Sequence, residues 1–100
     1  DDRIYDYIVR LAEATRVDPL VKLGISPRGA LALTRVAKAR AFAKGRDYVI
    51  PEDVTGMTEC VFAHRLMLSS KARLNEYTPQ AVVAQVLEQT CPPEMTEQQA

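Results

Sequence analysis

One short stretch of the chain combines residue types that could do chemistry. Ser26-Pro27-Arg28-Gly29 has the form of a helix start. Serine is a good N-cap, and proline suits the first helical position because its missing N–H would be unpaired there anyway. A helix N-terminus offers unpaired N–H groups and the positive end of the helix dipole, which together favour an anion. Arg28 adds a full positive charge in that first turn, so the plain alternatives are a phosphate or carboxylate contact and a solvated surface arginine. Two other constellations are weaker. Cys60 and His64 stand four apart and would share a helix face, but a structural zinc needs about four ligands. They read instead as a core cysteine and a helix-end histidine. Glu52 and Asp53 are adjacent, point in different directions on a helix, and suit the positive end of a helix dipole.

Much catalytic chemistry is excluded. The chain has no G-x-x-x-x-G-K-[ST] phosphate loop and no G-x-G-x-x-G after a strand. Its single histidine has no serine or cysteine elbow beside it. An independent enzyme is therefore not expected. The 13 basic and 13 acidic residues cancel, which argues against a dedicated nucleic-acid binder. The charges are nevertheless segregated. Residues 26–46 hold six bases (Arg28, Arg35, Lys38, Arg40, Lys44, Arg46) and no acid, whereas residues 47–60 hold four acids and no base. Either a neighbouring helix balances the basic one, or part of the basic helix faces an anion. A small helical DNA-binding or histone-like module is the alternative that this run keeps open. The leucines and alanines on the same helix oppose it, since a recognition helix needs a polar face.

These residues need a scaffold, and the pattern supplies helices. Apolar residues at 47% and charged residues at 26% suit one globular domain. Ile4, Ile8 and Leu11 place a first helix over 2–16, capped by Asp1 or Asp2 and closed by Arg16. A connector over 17–25 carries Leu20, Leu23 and Ile25, too apolar for a free loop and expected to pin it to the core. The second helix runs from Pro27 to about Lys44, with Gly45 as its left-handed stop. Leu31, Leu33, Val36, Phe42 and several alanines spread around it, which predicts a central position. Pro51-Glu52-Asp53 opens a third helix burying Val54, Met57, Val61 and Phe62, fading near His64. Leu66-Met67-Leu68 is a last turn or a short extended piece. Residues 71–77 read as a loop with a turn of helix. Thr78-Pro79 starts the last helix, which buries Val82, Val83, Val86 and Leu87 and ends at Cys91-Pro92-Pro93. The expected architecture is all-α: a small four-helix bundle over residues 1–91 without a convincing strand, then a disordered tail over 92–100.

Neither cysteine sits in a C-x-x-C pair, which reads as two reduced thiols in a cytosolic protein. No run is apolar for the length a bilayer needs, and no signal peptide is seen. The chain starts on Asp1 without an initiator methionine, almost inside a helix, as an excised piece of a longer protein would.

Four stretches resemble the C-terminal lid of the MoxR branch of AAA+ ATPases: IYDYIVRLAEATR (4–16), LGISPRGALALTRVAKARAFAKGRDYVIPEDV (23–54), AHRLMLSS (63–70) and VVAQVLEQT (82–90). Together they cover almost the whole chain, and their order is specific where each alone would be weak. The resemblance implies a helical lid of the AAA+ type that follows an ATPase core, which holds the P-loop and the acidic residues for Mg²⁺. It implies that the lid covers bound ATP and supplies a sensor-2 arginine to the γ-phosphate. The matching position is Arg28, with Ser26, Pro27 and Gly29 around it and Ile8 on the first helix bordering the adenine. The fragment alone would not hydrolyse ATP. The family further implies a cytoplasmic, chaperone-like remodelling machine that matures partner proteins or inserts metal cofactors. Its expected partners are the N-terminal core of the same chain, the neighbouring subunits of a homo-hexamer and proteins with von Willebrand A domains. No nucleic acid or membrane partner is expected.

Overall fold

A computed structural model describes residues 2–93. Helix α1 covers Asp2–Val17 and is followed by a short strand, β1, at Val21–Leu23. Helices α2 (Pro27–Ala43) and α3 (Pro51–Phe62) come next. A second short strand, β2 (Met67–Leu68), leads into a five-residue helix α4 (Ser70–Leu74) and the last helix α5 (Pro79–Gln89). The domain is thus mostly helical, as expected, and the turn of helix expected within 71–77 is α4; the expectation of no strand is corrected, because the described residues include a two-stranded antiparallel sheet. In that sheet Val21 pairs with Leu68 and Leu23 with Met67 across an irregular register, and Ser69 N–H donates to Leu20 O at 2.9 Å. Strands this short carry no periodicity, so only the partner brought up by the fold reveals them.

The helix boundaries follow local chemistry. Ser26, Ser69 and Thr78 each accept a hydrogen bond from the backbone N–H three residues on, starting α2, α4 and α5. Proline occupies the first turn of α2, α3 and α5. Gly45 takes φ +81° after α2; its N–H donates to Phe42 O and that of Arg46 to Ala41 O, which pairs two carbonyls of the last turn.

The main core joins Ile4, Tyr7, Ile8 and Leu11 of α1, Leu33 and Ala37 of α2, Val54 and Phe62 of α3, and Val83 and Val86 of α5. A satellite cluster of Leu68, Ala72 and Val82, with Leu20 and Val21 against it, sits at the sheet. Helix α2 packs on both α1 and α3, and it does so mainly through small residues. Gly29, Ala30, Ala37 and Ala41 are buried with Leu33, which lets the neighbouring backbones come close. The expected all-round burial of α2 is corrected: Leu31 is 45% and Phe42 82% exposed, and Val36 is half-buried. The helix is covered on two sides only. The connector is likewise pinned by Ile25, which is fully buried, and by half-buried Leu20, but Leu23 is 60% exposed. In α3 the buried face is Val54, Thr58 and Phe62; Met57 and Val61 lie at its margin. Of the tail expected over 92–100, Pro92 and Pro93 are non-helical, and 94–100 lie outside the described residues.

Leu33 has 0% exposure at the centre of this core. Leu33→Asp would bury an unpaired charge at a cost of several kcal/mol, comparable with the whole stability of a small domain. The expected result is loss of the cooperative thermal transition by circular dichroism. Val36→Asp, at a half-buried position, is expected to retain one.

Candidate functional site

The start of α2 is built from both directions along the chain. Ile25 precedes it and has no exposed surface. The Ile25 N–H donates to Thr15 Oγ1 at 2.9 Å, and Thr15, itself buried, donates its hydroxyl proton to Ala12 O at 2.6 Å. The Ile25 carbonyl accepts from Arg16 Nε at 2.7 Å. Gly24 fits against the same turn of α1: a Cβ there would lie 2.8 Å from both Cα and N of Arg16. Because the obstacle is backbone, it cannot swing aside. Gly24→Ala is therefore expected to cost about 3 kcal/mol, at the upper end for overpacking. Its melting midpoint should fall by more than about 10 °C in a domain of this size.

Ser26 Oγ then accepts from Gly29 N–H at 3.3 Å, and Ala30 N–H donates to Ser26 O at 3.0 Å. Pro27 has no N–H to offer, so Arg28 supplies the amide of the second helical position. Gly29 is buried, and a Cβ on it would stand 2.8 Å from Ile25 Cγ2 and 3.3 Å from Arg65 Cδ. The missing side chain at Gly29 thus admits Ile25 and the Arg65 stem; the close approach is to the protein itself.

Arg28 is exposed, and it forms no ion pair or side-chain hydrogen bond with the described residues. Helices α1 and α3 carry acids in their first turns (Asp2; Glu52 and Asp53), whereas α2, α4 and α5 have none there, and α2, like α4 with Lys71, places a cation at its positive end. A like charge in that position costs about 0.3–1 kcal/mol. An anion placed beside it would be attracted by the arginine and by the helix terminus together.

The five candidate residues do not form one cluster. Ser26, Pro27, Arg28 and Gly29 are contiguous at the helix start. Ile8 is 1% exposed and walls a shallow recess between α1 and α2 with Ile4, Tyr5, Thr34, Ala37 and Lys38. Thr34 is six residues further along α2 than Arg28, about 9 Å by helical rise.

The basic run of α2 divides into two populations. Arg28, Arg35, Lys38 and Lys44 are exposed. Arg40 and Arg46 instead converge on Asp53, which has 0% exposure. Arg46 makes a two-pronged contact, with Nη1 to Oδ2 at 2.6 Å and Nη2 to Oδ1 at 2.8 Å, and Arg40 Nη1 reaches Oδ1 at 2.7 Å. The Ile50 N–H donates to Oδ2 at 2.9 Å, so the same carboxylate caps α3. Burial alone would raise the carboxyl, but the bonds from Arg46, the Ile50 N–H and Arg40 outweigh it and hold the pKa at about 2. Sequence reasoning treated Asp53 as an ordinary helix-start acid and missed this role. The signal was the abrupt change from the basic to the acidic run, which showed that charges balance but not which ones meet.

Cys60 is exposed, its Sγ donating to Met57 O at 3.2 Å, so the expected core cysteine is corrected. Among the described residues no three His, Cys, Asp or Glu side chains gather into a metal-binding group. Among the described residues no helix is long and apolar enough to cross a membrane.

The comparisons with known proteins agree with this architecture. The AAA lid domain family model matches residues 13–86. Bacillus subtilis YeaC, described as an uncharacterized protein, is 40% identical over 87 residues, covering 87% of this chain and 27% of its own length. Chaperone MoxR1 of Mycobacterium tuberculosis is 37% identical over 101 residues, covering 92% of this chain and 27% of its own. A crystal structure from Cytophaga hutchinsonii, provisionally assigned as an ATPase, superposes with a TM-score of 0.82 at 28% identity, over 97% of this chain and 31% of that one. The chain thus spans between a quarter and a third of the length of these three proteins. It belongs to the AAA lid domain family and is a lid domain of the MoxR branch of AAA+ ATPases.

Proposed function

We propose that this domain closes over a nucleotide held by the ATPase core of its parent protein and presents Arg28 to the γ-phosphate as a sensor-2 arginine. The observation that carries the reading is the start of α2: an exposed arginine, without a protein partner among the described residues, at the positive end of a helix that has no acid in its first turn. The helix dipole by itself disfavours a cation there. Ser26, Pro27 and Gly29 set the helix start that aims it. ATP and Mg²⁺ fit this donor set in different ways. The α2 terminus suits a phosphate, whereas the metal requires oxygen ligands that the core would supply. Ile8 would touch the base only as a wall of the recess it lines, so a single nucleotide would have to run along α2 from Thr34 towards Arg28.

For the whole protein the reading extends to a ring, ordinarily of six copies, in which the lid contacts its own core and the neighbouring subunits. It would work in the cytoplasm as a chaperone-like remodeller or a maturation factor for metal-cofactor proteins, with von Willebrand A domain proteins as partners. These features rest on family membership. The test is steady-state ATP hydrolysis by the parent with and without Arg28→Ala, at matched assembly. Thermal melts of the domain accompany it, because a residue kept for a ligand should not be needed for folding. The small DNA-binding module keeps no specific support: the run that suggested it loses Arg40 and Arg46 to Asp53.

A further inference from the structure

The last turn of α1 holds the residue that precedes α2 by both ends of its backbone. Thr15 takes the Ile25 N–H, and Arg16 Nε binds the Ile25 carbonyl at 2.7 Å. A cation in the last turn of a helix is ordinarily explained by the dipole. That explanation does not require a short, directed bond to a carbonyl nine residues further on. Gly24 lies against the Arg16 backbone, and a Cβ there would also meet Arg16 Cγ at 2.9 Å, so the connector and this side chain are fitted to one another. Ser26, the next residue after Ile25, caps α2, and Arg28 leaves from its second position. Beside the direct packing of α2 on α1, the tie nearest Arg28 therefore runs through Ile25, and Arg16 is the one exposed side chain in the clamp.

We infer that Arg16 is a positioning residue for Arg28: by fixing the Ile25 carbonyl it sets where the arginine charge stands relative to the γ-phosphate. This rests on the reading of Arg28 given above. The physical basis is the steepness of charge placement, since a displacement of about 1 Å can cost about a hundredfold in rate. Thr15 still holds the other end of Ile25 when Arg16 is altered, so the effect is smaller than that of deleting Arg28.

The experiment is a double-mutant cycle in the full-length ATPase with Arg16→Met, Arg28→Ala and the combination. Methionine keeps the stem against Gly24 and removes the donor. Turnover with ATP and affinity for ADP are both measured. Arg16→Met is expected to lower kcat about five- to tenfold while ADP affinity, blind to a γ-phosphate group, stays within about twofold. In the Arg28→Ala background it should then lower kcat less than about twofold further, because residues acting through one another are not additive. An equal loss in both backgrounds, or a parallel loss of ADP affinity, overturns the positioning role and leaves Arg28 untouched. An Arg28→Ala enzyme with unchanged turnover overturns the γ-phosphate reading and this inference with it. If Arg16→Met fails to assemble, Arg16→Lys carries the same cycle, keeping a donor on a similar stem but losing the fixed direction of Nε.

Discussion

Arg28→Ala in the full-length ATPase is expected to lower ATP turnover about a hundredfold, the scale on which removal of one donor to developing charge is felt. Phosphoryl transfer asks little covalent chemistry of a protein; it asks for positive charge held where the transferring group sits. Arg28 has the features that the proposed role requires: it is exposed, carries no ion pair among the described residues, and is anchored two residues after a capped helix start. The same substitution should not weaken the isolated domain. Removing a cation from the positive end of α2 relieves about 0.3–1 kcal/mol of repulsion, so the melting midpoint should stay level or rise by a few degrees. Opposite signs for activity and stability are the mark of a residue kept for a ligand. A fall of several degrees in the midpoint, or unchanged turnover in an active parent, would return Arg28 to the class of ordinary surface cations.

Asp53→Ala is expected to be strongly destabilising although it leaves the apolar core intact. It strips the partner from Arg40 and Arg46 and the cap from the Ile50 N–H at once. Breaking a buried ion pair costs about 3–5 kcal/mol. Here the lower end applies, because the two arginine side chains are 29% and 18% exposed and can turn towards water. A loss of about 3 kcal/mol should lower the melting midpoint by more than about 10 °C. The carboxylate also makes stability depend on pH. Its pKa is about 2 in the folded chain against an ordinary 3.8. Stability from this group is therefore present above pH 3.8 and is lost as the pH falls from there through about 2, by about 2 kcal/mol in all. Urea unfolding from pH 5 to pH 2 measures it, taking the wild-type minus Asp53→Asn difference so that the other carboxylates cancel. That difference should shrink across this window. A difference that stays constant to pH 2 would mean the cluster is not ionised as a unit.

Local sequence determined a large share of this protein. Helix starts written as serine or threonine followed by proline, a glycine stop at 45, and apolar spacing in α1 and α5 are short-range signals, and each element formed where its signal stood. The Ser26-Pro27-Arg28-Gly29 turn was legible for the same reason: a cap, a proline and an exposed charge depend on neighbours within one turn. Tertiary structure decided what lies between distant residues. Whether Val21 or Met67 is extended depends on a partner more than forty residues away. Which faces of α2 are covered depends on how many helices pack on it, so Phe42 and Leu31 could be read as core from their type and yet stand exposed. Asp53 looked like any helix-start acid until the end of α2 brought two arginines onto it. Arg16 looked like a dipole-matching cation until the connector laid the Ile25 carbonyl against its Nε. Local chemistry sets where helices begin and end; hydrogen-bond partners and burial are set by packing, which no single stretch of the chain contains.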